Sequence, residues 1–174
     1  MSQPQIIPNC KNLPIMAVLA RLPKFVSTDT TRGSLLCVNV GKTWISATDG
    51  CKALRIPTQD LPKVTPGVYT LEVTKNSFVF SPSEETYLDI DKYFDAAHDG
   101  AKKLDQAFTL SKSTAQLSQL FFAIAQLGTC PDICHLQALP QDVEFSVLHQ
   151  DDKNKAVLFV AKGLCEAVIM PLRT

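Results

Sequence analysis

Residues 43–57, TWISATDGCKALRIP, place a tight turn between two apolar segments. The turn is Asp49-Gly50, a dipeptide typical of hairpins, because glycine adopts positive φ without steric cost and an aspartate side chain can accept hydrogen bonds from its own backbone. The stretch therefore predicts two strands, residues 43–48 and 52–56. Taken by itself, the pattern requires nothing beyond a plain hairpin.

Further strands are predicted on both sides of this stretch, wherever apolar and β-branched runs are bounded by turn residues. Gly41-Lys42 and Lys75-Asn76 supply two more short loops. The predicted strands are residues 35–40, 67–73, 77–81, 107–110, 143–149, 156–161 and 164–170, with a short strand before residue 10.

Two segments have the apolar spacing of helices. The first begins with Asn12 as N-cap and Pro14 in the first turn, and Pro23 is expected to end it. The second runs from about Ser113 to Leu127, with Gly128 as its stop. The predicted core residues are Leu13, Met16, Val18, Leu19 and Leu22 on the first helix, and Leu117, Leu120, Phe121, Ile124 and Leu127 on the second.

The order of elements repeats a β-α-β-β-β unit. It predicts an α+β fold with two helices packed on antiparallel sheet. We expect a single domain over residues 1–174, with halves at about 4–58 and 105–174. A hairpin and an acidic connector, residues 59–104, would join the two halves.

Net charge and hydrophobic content limit the classes of function that the chain could have. The chain has 174 residues, 45% of them hydrophobic and 20% charged, and its net charge is zero. Residues 1–75 carry nine Lys or Arg against four Asp or Glu, whereas residues 76–99 carry one against six. A neutral total does not favour strong non-specific nucleic-acid binding, although it leaves room for a basic face. With no long apolar run and no secretory signal, we expect a cytoplasmic protein without membrane contact and with reduced cysteines.

Catalytic and metal patterns are weak. Cys130, Cys134 and His135 lack the second pair of ligands that structural zinc commonly uses, so a plain loop is the better interpretation. No nucleophile–base pair or phosphate-binding glycine loop is present. The acidic run from Glu84 to Asp99 matches no metal loop. We expect no enzyme activity, no metal and no cofactor.

Several short segments resemble the bacterial DNA polymerase III β sliding clamp. STDTTR at residues 27–32, LLCV at 35–38 and ATDGCKAL at 47–54 are similar to the STDETR-like turn and the LNGVLL-like and ATDGHRLA-like strands of that family's middle domain. AVIMPLR at residues 167–173 resembles the YVVMPMR tail that closes clamp chains. The matches follow the family's order, and the repeated β-α-β-β-β unit agrees with its domain plan.

The resemblance implies an apolar pocket that accepts a short QLxLF-type peptide from polymerases and other replication factors. Glycine would let the peptide backbone approach, and Met and Leu would form a deformable floor. The family's His-Arg after the glycine is Cys51-Lys52 here, and lysine lacks the planar fork of arginine. Carried onto this sequence, the pocket consists of Thr48, Gly50, Cys51, Lys52, Leu54, Val168, Met170, Pro171 and Leu172.

The resemblance also implies a ring whose inner helices grip double-stranded DNA through phosphates. Arg21, Lys24 and Lys112 are the corresponding DNA-facing candidates. Clamp subunits have three domains and are roughly twice as long, so a ring of this chain would need more copies than the usual dimer. The expected partners are therefore polymerases or repair proteins, DNA, and further copies of the chain in a homo-oligomer.

We interpret the chain as a non-enzymatic clamp-like processivity factor or accessory module of DNA replication, shortened as in a phage, plasmid or other mobile element. One alternative is a monomeric clamp mimic that sequesters clamp-binding peptides without touching DNA. Another is an unrelated α+β enzyme. QLSQLF at residues 116–121 itself resembles a clamp-binding peptide, but its apolar residues lie on the predicted core side of a helix, which favours a structural role.

Overall fold

A computed structural model describes residues 3–10, 13–110, 114–127, 129, 131–152 and 155–171. The chain folds into two compact units: unit 1 comprises residues 1–89 and 163–165, and unit 2 comprises residues 90–162 and 166–174. Across the described ranges, none of the helices combines the length and the apolar character needed to cross a membrane.

Within its described residues, unit 1 contains one α-helix and a six-stranded sheet. Its strands lie in the order β1-β6-β5-β2-β3-β4, and the described neighbours pair antiparallel. The hairpin β5–β6 lies between β1 and β2, so the first β-α-β-β-β unit is widened by two strands. The elements are β1 (Gln5–Pro8), α1 (Pro14–Leu19), β2 (Val38–Val40), β3 (Trp44–Thr48), β4 (Lys52–Pro57), β5 (Gly67–Val73) and β6 (Ser77–Pro82), with short 3-10 helices at Leu22–Lys24 and Gly33–Leu35.

The core of unit 1 follows from the alternation in β3 and β4. Ile45 pairs with Ile56 and Ala47 pairs with Leu54, and all four side chains are buried on one face of the sheet. Paired residues of antiparallel strands share a face, so this register places two apolar rows together. The strands predicted on either side of Asp49-Gly50 are confirmed.

The first helix is shorter than predicted. Pro14 occupies the first turn as expected, but α1 ends at Leu19, and a 3-10 turn carries the chain through Pro23. Leu13 was predicted to be a core residue, which is wrong: it is the N-cap and is 47% exposed, because a cap residue precedes the helical face. The predicted N-cap Asn12 lies outside the described residues.

The described part of unit 2 has a sheet in the order β10-β9-β8-β7 and three helices. The strand order β10-β9-β8 matches the predicted three-strand meander near the C-terminus, whereas two helices, α3 and α4, stand between β7 and β8 where the repeated unit predicted one. Two of its helices, α2 and α4, were not predicted. The elements are α2 (Asp91–His98), β7 (Lys102–Leu110), α3 (Thr114–Gln126), α4 (Ile133–Ala138), β8 (Val143–His149), β9 (Val157–Ala161) and β10 (Cys165–Ile169).

The helix α2 lies within the acidic segment. Ile90, Phe94 and Ala97 are buried at helical spacing, while its acids face solvent. The amide of Gln150 donates to the carbonyls of Ala96 and Asp99, at 2.6 and 2.7 Å, and so satisfies the end of the helix. The acidic run is therefore in part a folded amphipathic helix.

The loop predicted around Cys134 also contains a helix, α4. Asp132 caps it, since its side chain accepts a hydrogen bond from the backbone N–H of Cys134 at 2.7 Å. Cys130 lies outside the described residues. On α3, Leu120 and Ile124 are buried as predicted, whereas the other predicted core residues are only half-buried, namely Leu117, Phe121 and Leu127, and Phe122 is 64% exposed.

Strand β7 is longer than the predicted 107–110, because it begins at the charged residue Lys102. It forms an edge of the sheet of unit 2 and pairs with β8. Its register shifts between Lys103 and Ala107, which marks a bulge.

Candidate peptide-binding surface

The turn between β3 and β4 is closed by side chains as well as backbone. The Asp49 carboxylate accepts hydrogen bonds from the backbone N–H groups of Cys51 at 2.8 Å and Lys52 at 2.9 Å. The Thr48 hydroxyl donates to the Lys52 carbonyl at 2.9 Å and accepts from the N–H of Gly50 at 3.0 Å. Gly50 has φ of 95°, a conformation that an L-residue rarely adopts. Gly50 and Cys51 are exposed at the tip.

Lys52 forms an ion pair with Asp49 inside the same turn. Both side chains are largely covered, at 11% and 17% exposure. Burial raises the pKa of Asp49, but the hydrogen bonds from Lys52 and from the backbone of Cys51, together with the charge of Lys52, outweigh it, so the pKa lies below its ordinary value. Lys52 is therefore a structural member of the turn in this structure.

A second cation, Arg32, lies over Gly50. A methyl group added at Gly50 would be 3.2 Å from Nη2 of Arg32 and 3.6 Å from Cδ1 of Leu35. Arg32 is exposed, and its guanidinium makes no hydrogen bond or ion pair with the described residues. The pocket prediction omitted Arg32, although it closes the STDTTR segment of the same resemblance.

The segment that carries Arg32 is fixed by local hydrogen bonds. Its N–H donates to the carbonyl of Asp29 at 3.1 Å, and its own carbonyl accepts from Leu35 at 2.8 Å. Hydrogen bonds from the hydroxyl and backbone of Thr31 lower the pKa of the Asp29 carboxyl, with a smaller contribution from the charge of Arg32. The carboxylate of Glu85 occupies the space that a side chain at Gly33 would need.

The structure thus gathers Thr48, Gly50, Cys51 and Lys52 in one turn of unit 1. Leu54, also predicted for the pocket, has no exposed surface and pairs with Ala47 in the core. These five residues were predicted from the resemblance, and their role in binding stays a prediction.

The second predicted group belongs to unit 2. Val168 is 3% exposed within β10, while Met170 directly after the strand is 37% exposed. Pro171 forms an isolated β-bridge with Pro131, which anchors the start of the tail. Leu172 lies outside the described residues.

The DNA-facing candidates differ in character. Arg21 is half-buried, and burial lowers the pKa of its guanidinium. Lys24 is exposed at the end of the 3-10 helix after α1. Lys112 lies outside the described residues. DNA contact through these positions stays a prediction.

Metal binding gains no support from the side-chain geometry. Within the described ranges, no group of three His, Cys, Asp or Glu side chains is arranged to hold a metal ion.

Known proteins similar to the chain were found by structure and not by sequence. None of the protein-family models matches it, and none of the curated proteins compared with it does. Structural similarity extends over nearly all of the chain. The DNA polymerase sliding clamp from Bacillus subtilis matches with a TM-score of 0.59 at 14% identity, over 99% of this chain and 64% of that one.

Two further clamps give the same result. The DNA polymerase III β subunit from Thermotoga maritima matches with a TM-score of 0.59 at 10% identity, over 99% of this chain and 66% of that one. The sliding clamp from Caulobacter crescentus matches with a TM-score of 0.57 at 12% identity, over 100% and 68%. The chain thus spans less than two thirds of the length of the first two clamps. Since such low identity establishes the fold alone, the conclusion is that this chain has the α+β fold of the bacterial DNA polymerase III β sliding clamps.

Proposed function

We propose that this chain is a non-enzymatic, clamp-like protein of DNA replication that binds short QLxLF-type peptides carried by polymerases or other replication proteins. The observation that carries the proposal is the turn at residues 48–52, where the ATDG segment of the resemblance is closed by hydrogen bonds and its tip is exposed. Sliding clamps are processivity factors without catalytic activity, which agrees with the absence of a catalytic pattern in the sequence.

The turn surface has properties that suit a peptide ligand. Gly50 is exposed and has no side chain, so a ligand main chain is able to approach closely. The turn is held by hydrogen bonds of Thr48 and Asp49, so little conformational entropy would be lost on binding. Interfaces of this kind derive most of their affinity from a few apolar anchors.

Met170 is the residue through which a role of the unit 2 pocket residues in peptide binding is tested. It is a flexible apolar side chain, 37% exposed, next to the buried end of β10. Methionine adapts to ligands of different shape, which is the property required of a surface that serves several partners. We propose that Met170, Val168 and Pro171 contribute apolar contacts to the peptide.

Fluorescence anisotropy with a labelled QLxLF-type peptide tests the proposal. We expect the wild-type chain to bind this peptide saturably and not to bind a peptide of the same composition in scrambled order. Met170→Asp should weaken binding at least about tenfold, since a carboxylate would be desolvated against apolar anchors. The matched control is Ile133→Asp on α4, another exposed apolar residue of unit 2, at 43% exposure. Unchanged affinity in Met170→Asp would remove Met170 from the site, and no binding by wild type would refute the function.

The oligomeric state distinguishes two forms of the proposed function, a ring around DNA and a monomeric clamp mimic. A DNA-encircling homo-oligomer predicts a single, concentration-independent mass by light scattering, and loss of DNA retention in Lys24→Glu. A monomeric mimic that sequesters clamp-binding peptides predicts the monomer mass with peptide binding intact. An origin in a phage or other mobile element is consistent with either form.

A further inference from the structure

A cavity of about 430 Å³ lies in unit 1 between the β2–β3 turn and the loop that joins β4 to β5. This loop, residues 58–66, is called the β4–β5 loop below. A cavity of this volume is within the range that holds small-molecule ligands in proteins. It lies at the Trp44 end of β3, whereas the turn at residues 48–52 follows the other end of the strand. The two ends of this five-residue strand are about 13 Å apart, so the cavity is separate from the proposed peptide site.

The inner wall of the cavity is apolar. Val40 pairs with Ile45 across β2 and β3, and both of these lining residues are buried. From the β4–β5 loop, Leu61 is buried against the cavity and Val64 lines it half-buried. Such a wall favours the apolar body of a ligand, because contact with it removes apolar surface from water.

Hydrogen bonds fix the β4–β5 loop near both of its ends. At the start, the hydroxyl of Thr58 donates to the carbonyl of Lys42 at 2.8 Å, and its backbone N–H donates to the carbonyl of Thr43 at 2.9 Å. Near the end, the N–H of Thr65 donates to the side-chain oxygen of Gln5 at 2.8 Å. The cavity is therefore largely formed before a ligand binds, which lowers the entropic cost of binding.

Two exposed lysines, Lys42 and Lys63, also line the cavity. Neither ammonium group forms a hydrogen bond or an ion pair with the described part of the chain. The described residues that line the cavity include no acid, and the carboxylate of Asp60, in the same loop, accepts from the amide of Gln59 at 3.4 Å. An ammonium group offers three donors to a carboxylate or phosphate, so the charge of the lining favours an anion.

We infer that this cavity binds a small organic acid. The carboxylate or phosphate group of the ligand pairs with Lys42 and Lys63. Its apolar body packs against Val40, Ile45 and Leu61. Exposed ammonium groups bind a free anion weakly, so the apolar body has to supply the rest of the affinity. The inference goes beyond the proposed function, because it assigns a second kind of ligand to a second site.

Chemical-shift mapping by proton–nitrogen NMR on the full chain tests the site with four probes. Hydrocinnamate carries both the apolar body and the carboxylate, hydrocinnamamide carries the body alone, and acetate carries the carboxylate alone. Phenyl phosphate carries a phosphate in place of the carboxylate, so its affinity relative to hydrocinnamate shows which anionic group is preferred.

We expect hydrocinnamate to bind with a dissociation constant on the order of 1 mM, as for a ligand of this size. It should bind at least about fivefold more tightly than hydrocinnamamide or acetate. The shifts that it causes should appear at the backbone amides of Gly41, Thr58 and Val64. The amides of Gly50 and Cys51, at the proposed peptide site, should not shift.

Substitutions then assign the preference for the acid to the two lysines. Lys42→Gln and Lys63→Gln should each reduce the ratio of hydrocinnamate affinity to hydrocinnamamide affinity, and the double variant should bring this ratio to about one. Lys75→Gln is the matched control, because it removes the charge of an exposed lysine in the β5–β6 turn. It should leave the ratio unchanged.

Each contrary result rejects a stated part of the inference. Shifts that map outside the β2–β3 turn and the β4–β5 loop would reject the site. Equal affinity for hydrocinnamate and hydrocinnamamide, or an unchanged ratio in the double variant, would reject anion recognition by the lysines. No shift with hydrocinnamate or phenyl phosphate up to about 20 mM would overturn the inference as a whole. Peptide binding at residues 48–52 is measured with a different ligand and stands or fails independently.

Discussion

The carboxylate of Asp49 holds the ammonium of Lys52 at the turn that joins β3 to β4. The same carboxylate accepts two backbone N–H groups, so one side chain organises the tip of the hairpin. The position where the clamp family has an arginine thus serves the local structure in this chain.

Removal of the Asp49 charge should destabilise the protein in a pH-dependent manner. The pKa of Asp49 is lowered in the folded state, so its charge contributes stability above the unfolded pKa of about 3.9 and loses this contribution as pH falls further. Asp49→Asn should cost about 1–3 kcal/mol at pH 7. The difference from wild type should shrink below about pH 4. Urea unfolding at several pH values measures this difference in the free energy of unfolding. Asp60→Asn is the control, because it removes the charge of an exposed aspartate. A difference independent of pH would contradict the expectation.

Two constraints favour glycine at position 50, its positive φ and the closeness of Arg32. Gly50→Ala places a β-carbon at φ of 95° and 3.2 Å from Arg32. Gly163→Ala is the matched control, because its φ is 75° and nothing lies within 4 Å of the added atom. Both should lose about 1–2 kcal/mol from backbone strain. Gly50→Ala should lose more in thermal unfolding, and equal losses would show that Arg32 moves aside freely.

Trp44 and Arg55 form a cation–π pair. The Arg55 guanidinium carbon lies 4.5 Å from the Trp44 ring centroid, and Arg55 is 7% exposed. Arg55→Lys keeps the charge but loses the planar stacking, and should cost about 0.5–2 kcal/mol. Trp44 is the single tryptophan of the sequence, so its emission reports the change directly. Arg32→Lys, at an exposed arginine, should leave that emission unaltered.

Gln150 should control the end of helix α2. Gln150→Ala frees the carbonyls of Ala96 and Asp99, which end the helix, and should cost about 1–2 kcal/mol. Hydrogen–deuterium exchange should accelerate over residues 95–101. Gln119→Ala, on the exposed side of α3, is the control. Unchanged exchange in Gln150→Ala would mean that the helix end is held by other contacts.

The strands around Asp49-Gly50 were predictable because turn chemistry and apolar alternation agree there. The resemblance carried by ATDGCKAL and AVIMPLR also pointed to the clamp fold that the structural comparisons confirm. In each case several local signals led to the same structure.

The missed elements lie where charge masks the pattern. Ile90, Phe94 and Ala97 have helical spacing, but the surrounding acids made the segment resemble a connector. The first half of β7 carries two lysines and an aspartate, which is permissible because an edge strand needs few buried side chains. The proximity of Arg32 to Gly50 depends on the folding of two segments 18 positions apart, for which spacing alone gives no distance.

The bulge in the edge strand β7 also affects the tendency of the protein to aggregate at high concentration. A nine-residue edge would ordinarily invite another molecule to extend the sheet. Here the shift between Lys103 and Ala107 breaks the regular row of donors and acceptors, and the exposed side chains of Lys102 and Lys103 place charge along the edge, which disfavours pairing with another strand. We therefore expect this edge to resist β-aggregation, because contacts between two molecules at β7 should be short-lived.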